Sequence, residues 1–203
     1  MQLKERLHGP LPGKDAQFRM AHVARRIDVP VPDHARQAGV LALFYPDREG
    51  QWNLALIERV SHNPNDRHGG QISFPGGRFE EADGTMLRTA LRETREEIGV
   101  DTSRVEVLGA LTDLYIPVSN YQVHPFVGVL ETTPTFFPQW EEVASIVEAP
   151  LDLLCDPATR QTTDLRISSN ILLKDVPYFN VLGKVIWGAT AMMLSELLEL
   201  LEN

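Results

Sequence analysis

Residues 76–100 have the sequence GGRFEEADGTMLRTALRETREEIGV and decide how the rest of this 203-residue chain is interpreted. A glycine pair ends an extended stretch, a short acidic loop follows, and the pattern then predicts a helix over residues 85–98. The first turn of this helix can be capped by Asp83 or Thr85. Gly99 supplies the left-handed residue with which helices commonly end.

The predicted helix has an apolar face and an acidic face. At about 100° per residue, the positions that share the apolar face are Leu87, Ala90, Leu91, Thr94 and Ile98. The acidic positions share another face, because their spacing is i, i+3 and i+4, and they are Glu93, Glu96 and Glu97. The first face is therefore predicted to be buried, and the second is a candidate functional surface.

Three carboxylates this close repel one another, so the acidic face needs a balancing positive charge. Hard divalent cations such as Mg²⁺ take oxygen ligands, usually one or two carboxylates with waters and substrate phosphates. Arg92 lies one turn before Glu96 and can brace it. The alternative is a solvated acidic helix with local ion pairs. The glycine pair, the loop length and the terminal glycine occur together, and this combination favours a metal site.

The same residues resemble the Nudix box, whose usual form is G-x5-E-x7-R-E-U-x-E-E-x-G-U, with U an aliphatic residue. The match runs from Gly77 to the sequence RETREEIGV at residues 92–100, with one extra residue between Gly77 and Arg92. Asp83 stands where the box has its first glutamate, and Thr94 replaces an aliphatic residue. Both departures are similar to the coenzyme A pyrophosphatase branch of the Nudix hydrolases.

Other segments resemble the same branch. Residues 68–77, HGGQISFPGG, resemble its H-x-G-Q-V/I-x-F-P-G-G signature, although Asn65 and Asp66 stand where a leucine–arginine pair is expected. Residues 141–151 resemble its E-V…V-P-L segment, and residues 186–191, IWGATA, resemble its C-terminal I-W-G-x-T-A. The resemblance therefore extends from about residue 38 to the end of the chain.

The resemblance implies an α/β fold, specifically an α/β/α sandwich around a mixed sheet, and metal-dependent hydrolysis of a diphosphate bond. The expected cofactor is Mg²⁺ or Mn²⁺ on Glu93 and Glu97, with Glu96 and the Gly77 carbonyl nearby. Many Nudix enzymes draw one more glutamate from the region around Glu142. The general base stays open among Glu93, Glu96 and Glu142.

Four further side chains are candidates for contact with a small-molecule nucleotide substrate. In the resembling branch, the segment that holds His68 and Gln71 helps to shape the coenzyme A pocket. Tyr115 and Tyr121 lie in a predicted loop, residues 115–121, where either ring could stack on adenine. Each residue also has a structural alternative, as a hydrogen-bonded loop residue or as a ring that only packs.

For coenzyme A or acyl-coenzyme A, the resemblance implies 3′,5′-ADP and (acyl-)4′-phosphopantetheine as products. Two alternatives stay open. The first is hydrolysis of another nucleoside diphosphate derivative, such as NADH or ADP-ribose. The second is a non-catalytic nucleotide-binding module, which is disfavoured because Arg92 and all three glutamates are present.

Composition limits the remaining function classes. The net charge of −9 argues against a nucleic-acid surface that binds phosphates. Cys155 is the only cysteine, so neither an intramolecular disulfide nor a cysteine-based zinc cluster is expected. No apolar run approaches the roughly 20 residues of a membrane span, and no signal-peptide core is present. A cytoplasmic location without membrane contact is therefore expected.

The length predicts one domain, residues 35–203, preceded by a leader over residues 1–34. This leader is expected to pack on the domain or to contribute to a homodimer. A short helix is predicted over residues 16–26. Its inward-facing residues are predicted to be Phe18, Ala21 and Val23.

The remaining elements follow from apolar runs and turn residues. The predicted strands are Ala38 to Tyr45, Trp52 to Arg59, Val105 to Leu111, Gln122 to Leu130, and a hairpin of Leu165 to Leu173 with Val176 to Val181. A helical turn is predicted over residues 152–156, and a final amphipathic helix follows residues 185–191. Residues 61–70 are predicted to form an exposed loop that leads into the glycine pair.

Overall fold

The computed structural model describes residues 2–26, 28–61, 69–168 and 171–202. Its helices are α1 (Gln2–Leu7), α2 (Gly13–Arg19), α3 (Met86–Ile98), α4 (Leu151–Cys155) and α5 (Gly188–Glu202). Its strands are β1 (Arg36–Pro46), β2 (Trp52–Arg59), β3 (Ile72–Ser73), β4 (Gly76–Arg78), β5 (Glu106–Ala110), β6 (Leu114–Ile116), β7 (Tyr121–Val129), β8 (Val143–Pro150), β9 (Arg160–Ser168), β10 (Ile171–Val181) and β11 (Lys184–Trp187).

The strand β1 is the centre of the main sheet. It pairs in parallel with β7 and antiparallel with β2 and β4. The strands β5 and β6 pair with β7, while β3 and β8 pair with β2, which gives a mixed sheet. Residues 41–45 of β1 are buried throughout, as expected for a strand covered on both faces. The predicted central strand is therefore confirmed.

The helices α3 and α5 cover opposite faces of this sheet. Successive residues of a strand point to opposite faces, so alternate residues of β1 contribute to different parts of the core. On one face, Leu41 and Leu43 pack in an apolar cluster with residues of α3. On the other face, Ala42 and Phe44 pack with residues of α5. This arrangement confirms the predicted mixed α/β fold with helices on both sides of the sheet.

The helix α3 has the predicted start and end. The Thr85 hydroxyl oxygen accepts a hydrogen bond from the Arg88 N–H at 3.2 Å, and Gly99 ends the helix with a φ of 72°. The glycine at position 39 allows a close contact between α3 and β1. A Cβ there would lie 2.3 Å from the Met86 carbonyl oxygen. The first turn of α3 therefore rests directly on the central strand.

The predicted helix over residues 16–26 is wrong in extent. The helix α2 ends at Arg19, and a separate 3-10 turn follows at Val23–Arg25. Met20 and Ala21 are buried between them, and inserting these side chains into the core turns the chain away from the helix axis. Val23, which was predicted to face inward, is 70% exposed.

The C-terminal hairpin differs from its prediction in the bounds of its strands. The strand β9 pairs with β10, so residues 165–173 do not form one strand. Residues 174 and 175, which separate the two predicted strands, belong to a β-bulge in β10. Asp175 has a φ of 52° there, and its N–H donates to the Asp164 carboxylate at 3.1 Å. The two residues between the predicted strands therefore form a bulge within one strand rather than a turn between two strands.

The predicted loop over residues 115–121 is also too long. Residues 114–116 form β6, which pairs antiparallel with the start of β7. Tyr115 lies opposite Gln122 in this ladder, and Tyr121 is the first residue of β7. Only residues 117–120 turn the chain, so cross-strand pairing overrides the loop character of the prolines and polar residues around them.

A buried carboxylate fastens the leader to α5. Glu196 is fully buried and accepts hydrogen bonds from the Gly13 N–H, the Gln17 side-chain amide, and the N–H and hydroxyl of Thr112. The donor–acceptor distances range from 2.7 to 3.3 Å. Three separate parts of the chain therefore meet at one side chain. Among the described residues, no helix is both long and apolar enough to cross a membrane.

Replacing Glu196 by alanine should lower the free energy of unfolding by at least about 2 kcal/mol, because several buried donors would lose their acceptor. Urea unfolding of the full chain measures the change. Glu202→Ala is the control, since Glu202 is half-exposed and makes a surface ion pair with Arg160. It should cost less than about 1 kcal/mol. Equal losses in the two variants would contradict this assignment.

Candidate active site

The glycine pair holds two carboxylates of α3 against the backbone of β4. The N–H of Gly76 donates to Oε2 of Glu97 at 2.7 Å. A Cβ on Gly77 would lie 2.5 Å from Cδ of Glu93, so this carboxylate occupies the space that any other side chain would fill. Gly76 has a φ of 146°, and a Cβ on it would lie 2.4 Å from the Gly39 carbonyl oxygen. Both glycines are therefore required by close contacts.

Glu97 is a buried carboxylate, only 1% exposed. Burial is the main reason that its pKa is raised to about 7, and the charges of Glu93 and Glu142 raise it further. The Gly76 N–H and the Arg59 guanidinium oppose this shift. Nη1 of Arg59 lies 3.5 Å from Oε1 of Glu97. The Gly76 N–H and the Arg59 guanidinium therefore do not offset the effect of burial on the pKa of Glu97.

Glu93 is in a similar environment. Burial raises its pKa, the Arg92 guanidinium lowers it, and the charges of Glu96 and Glu142 raise it again. Nη1 of Arg92 lies 3.0 Å from Oε1 of Glu93. Glu142 is exposed and immediately precedes β8, but its charge acts on both Glu93 and Glu97. The fold therefore brings Glu142 from a distant part of the sequence to the same site.

Arg92 is held by an acidic residue in the loop before α3. Its Nε and Nη2 donate to the two carboxylate oxygens of Asp83 at 2.7 and 3.1 Å. It also donates to Oε2 of Glu96 at 2.9 Å and to the Arg78 carbonyl at 3.1 Å. These contacts include the predicted brace between Arg92 and Glu96. Glu96 is therefore paired with Arg92, and its side chain is 44% exposed.

Asp83 takes the position of the first glutamate of the box in a structural role. Its hydrogen bonds from Arg92 are the main reason that its pKa lies well below its usual range. The Glu80 N–H and the Thr89 hydroxyl donate to the same carboxylate at 3.0 and 2.8 Å. Asp83 is 6% exposed. A shorter acidic side chain therefore fits because it is close to all of its donors.

The predicted substrate residues are only partly brought to this site. His68, Asn65 and Asp66 lie outside the described residues. The backbone carbonyl of Gln71 accepts a hydrogen bond from the Arg59 N–H at 3.0 Å, which places Gln71 beside a residue of the carboxylate site. Gln71 also lines a groove of about 170 Å³ whose other walls include Gly70, Leu165, Ile167 and Trp187.

The two predicted stacking residues already have intramolecular partners. The Tyr115 hydroxyl donates to the side-chain oxygen of Asn120 at 3.0 Å. The Arg36 guanidinium lies 4.3 Å from the centroid of the Tyr121 ring. One face of Tyr121 is thus covered by a cation, and its role in substrate binding stays a prediction.

The carboxylates fit a divalent cation of the magnesium type. Among the described residues, no three His, Cys, Asp or Glu side chains converge on one point. Mg²⁺, however, is usually held by one or two carboxylates, with waters and substrate phosphates as the other ligands. Glu93 and Glu97 supply two such carboxylates, and the pKa of each is raised, mainly by burial and further by neighbouring glutamates.

Arg59 is a residue of this site that has no signal in the sequence. It ends β2 and is 38 positions from Glu97, so no local spacing connects them. Their contact depends on how β2 and α3 meet in the fold.

Comparisons with known proteins agree with this geometry. The NUDIX domain family matches residues 34–168. A protein named as an uncharacterized Nudix hydrolase, NudL, from Enterobacter sp. (strain 638) is 31% identical over 162 residues, 80% of this chain and 81% of that protein. The protein of the same name from Yersinia enterocolitica is 44% identical over 98 residues, 48% of this chain. That alignment spans 49% of the relative, about half of its length.

A solved structure shares the fold at low sequence identity. The MutT/nudix family protein from Enterococcus faecalis aligns with 94% of this chain and 73% of its own, with a TM-score of 0.55 and 14% identity. At this identity the similarity concerns the fold alone. It agrees with the mixed sheet between helices that the chain adopts.

Replacing Asp83 by asparagine should lower stability at pH 7 by about 2 kcal/mol, because Arg92 would lose a charged partner that accepts two of its hydrogen bonds. The pKa of Asp83 is depressed in the folded state, so its contribution is present above the unfolded pKa and is lost as pH falls. The difference between variant and parent should therefore narrow below about pH 4. Urea unfolding between pH 3 and 8, values chosen to bracket this range, measures it.

Asp28→Asn is the control for this experiment. Asp28 also pairs with a cation, Lys14, but at an exposed surface position. Its replacement should change stability little at any pH. A loss in Asp83→Asn that did not depend on pH would contradict the role assigned to the carboxylate charge.

Proposed function

This chain belongs to the Nudix family, and from that premise we propose that it hydrolyses the diphosphate bond of coenzyme A or acyl-coenzyme A. The products would be 3′,5′-ADP and (acyl-)4′-phosphopantetheine, formed when one water is added across the P–O–P bridge. The observation that carries the proposal is the pair of carboxylates of Glu93 and Glu97, the second of them buried, that lie against the Gly76–Gly77 backbone.

Nudix hydrolases generally use divalent metal ions, and the proposed ligands here are Glu93 and Glu97, with Glu96 and the Gly77 carbonyl completing the set. Mg²⁺ or Mn²⁺ would supply Lewis acidity and neutralise the diphosphate charge that otherwise repels a nucleophile. Arg92 would act by positioning Glu93 and Glu96, since it contacts both carboxylates.

Glu142 is the proposed general base. Arg92 contacts a carboxylate oxygen of both Glu93 and Glu96, so these oxygens already have a partner. The Glu142 side chain is exposed, and its charge acts on Glu93 and Glu97. It can therefore accept a proton from a water at the site and release that proton to solvent.

The coenzyme A specificity rests on the segment that precedes the box. Gln71 lines a groove of about 170 Å³ whose other walls include Leu165, Arg166, Ile167 and Trp187, so the groove combines an amide and a guanidinium with apolar side chains. Such a lining suits the pantetheine arm, whose chain carries amides and methyl groups. His68 and Gln71 would contact this part of the substrate, while Tyr115 or Tyr121 would lie at the adenine.

One sequence feature favours a second substrate class. Asn65 and Asp66 replace the leucine–arginine pair of the coenzyme A signature, and a changed pocket could take another nucleoside diphosphate derivative, such as NADH or ADP-ribose. The reaction and the carboxylates would be the same. A binding module without catalysis is disfavoured, because it does not need so many crowded carboxylates.

A substrate panel separates these possibilities. With Mg²⁺ or Mn²⁺, the panel contains coenzyme A, acetyl-coenzyme A, NADH, ADP-ribose and a dinucleoside polyphosphate, and chromatography identifies the products. The expected result is preference for the coenzyme A compounds with release of 3′,5′-ADP. Preference for NADH or ADP-ribose would show that the coenzyme A assignment is wrong. Absence of hydrolysis across the panel would favour the binding module.

Replacing Glu97 by glutamine should reduce turnover of the best panel substrate by about 100-fold or more, because a charged metal ligand is lost. Circular dichroism should show an unchanged fold, since glutamine retains the shape of the side chain. Glu81→Gln is the matched control, an exposed glutamate in the loop before α3, and should have parental activity. Activity of Glu97→Gln within a few-fold of the parent would contradict the assignment of Glu97.

A further inference from the structure

Two arginines approach the carboxylates of the site, and they differ in how many contacts they make. Arg92 contacts Asp83, Glu93 and Glu96, and it also donates to a backbone carbonyl. Within the part of the chain that the structure describes, the Arg59 side chain has one polar contact, between Nη1 and Oε1 of Glu97 at 3.5 Å, at the outer limit of a hydrogen bond. Arg92 is therefore fully engaged, whereas the described partners of Arg59 leave it donors that can bind another group.

The backbone of Arg59 is fixed while its side chain reaches solvent. Its N–H donates to the Gln71 carbonyl at 3.0 Å, and its own carbonyl accepts from the Gly70 N–H at 2.8 Å. The next residue, Val60, donates to the Glu142 carbonyl at 2.8 Å. The Arg59 side chain is 38% exposed. Its guanidinium can therefore move among partners at the site without a change in the sheet.

Glu97 does not depend on Arg59 for its position. Its other oxygen accepts a hydrogen bond from the Gly76 N–H at 2.7 Å, which is much shorter than the contact with Arg59. The guanidinium can thus leave Glu97 while the backbone continues to hold this carboxylate. The contact with Arg59 is best suited to a temporary partner.

We propose that Arg59 binds the diphosphate of the substrate and moves from Glu97 to the phosphate oxygens when substrate enters. The inference rests on the proposed function for the identity of the substrate. The carboxylates of Glu93, Glu97 and Glu142 repel a diphosphate, so a cation from the chain would strengthen its binding beside any bound metal. A guanidinium is suited to this role because its planar fork matches two phosphate oxygens at once.

The test is calorimetric binding of methylenediphosphonate, a diphosphate analogue that is not hydrolysed, to the full chain in the presence of Mg²⁺. Arg59→Gln should bind it about tenfold or more weakly than the parent. Arg59→Lys should show an intermediate loss, because it keeps the charge without the fork. Arg160→Gln is the matched control, since Arg160 is also 38% exposed and pairs with one carboxylate, that of Glu202. It should bind as the parent does.

Steady-state kinetics with the best panel substrate give a second readout. Arg59→Gln should raise KM about tenfold or more, with a smaller change in kcat, because the contact is made to the bound substrate. Unchanged analogue affinity and KM would overturn the proposal, as would a fall in kcat alone. If Arg59→Gln does not fold, Arg59→Lys provides the same comparison.

The two proposals can fail separately. If the parent hydrolyses no panel substrate, the proposed function fails, while analogue binding still tests Arg59. If the parent is active and the Arg59 variants bind the analogue normally, only the role of Arg59 is wrong. Weaker binding in Arg160→Gln as well would show a general loss of positive charge and would also overturn the specific role of Arg59.

Discussion

The contact between the Gly76–Gly77 backbone and two glutamates of α3 is the constraint on which the site depends. Glu97 accepts a hydrogen bond from Gly76, and Glu93 occupies the space where a Cβ on Gly77 would lie. Burial raises the pKa of both carboxylates, because a negative charge that is removed from water is unfavourable unless a positive charge compensates for it. A divalent cation bound to these carboxylates would supply that positive charge and stabilise their ionised forms.

The surrounding structure keeps these groups in place. Gly39 lets the first turn of α3 rest on β1, so the helix cannot shift toward or away from β4 without losing a close contact. Asp83 and Arg92 connect the loop before α3 to the acidic face of the helix. Backbone, helix and loop therefore act together, and the carboxylates are positioned before any ligand binds.

The parts of the site that were predictable from sequence are those encoded by local spacing. The cap, the terminal glycine and the acidic face of α3 all follow from residues in or beside that helix. The central strand follows in the same way from one continuous apolar run. Contacts between distant segments could not be predicted in the same way. Arg59 reaches Glu97 only because β2 and α3 meet at the same part of the sheet. Glu196 accepts hydrogen bonds from two distant segments, α2 and Thr112. Residues 174–175 separate the two predicted strands of the C-terminal hairpin, but pairing with β9 makes them a bulge within β10.

Binding of Mn²⁺ in the absence of substrate tests the central claim most directly. Electron paramagnetic resonance would measure free Mn²⁺ in titrations of the parent, Glu93→Gln and Glu97→Gln, with Glu81→Gln as control. The account predicts that both site variants bind Mn²⁺ at least about tenfold more weakly, while the control binds like the parent. Equal affinity in all four proteins would contradict the claim that the glycine pair holds these two carboxylates for a divalent cation.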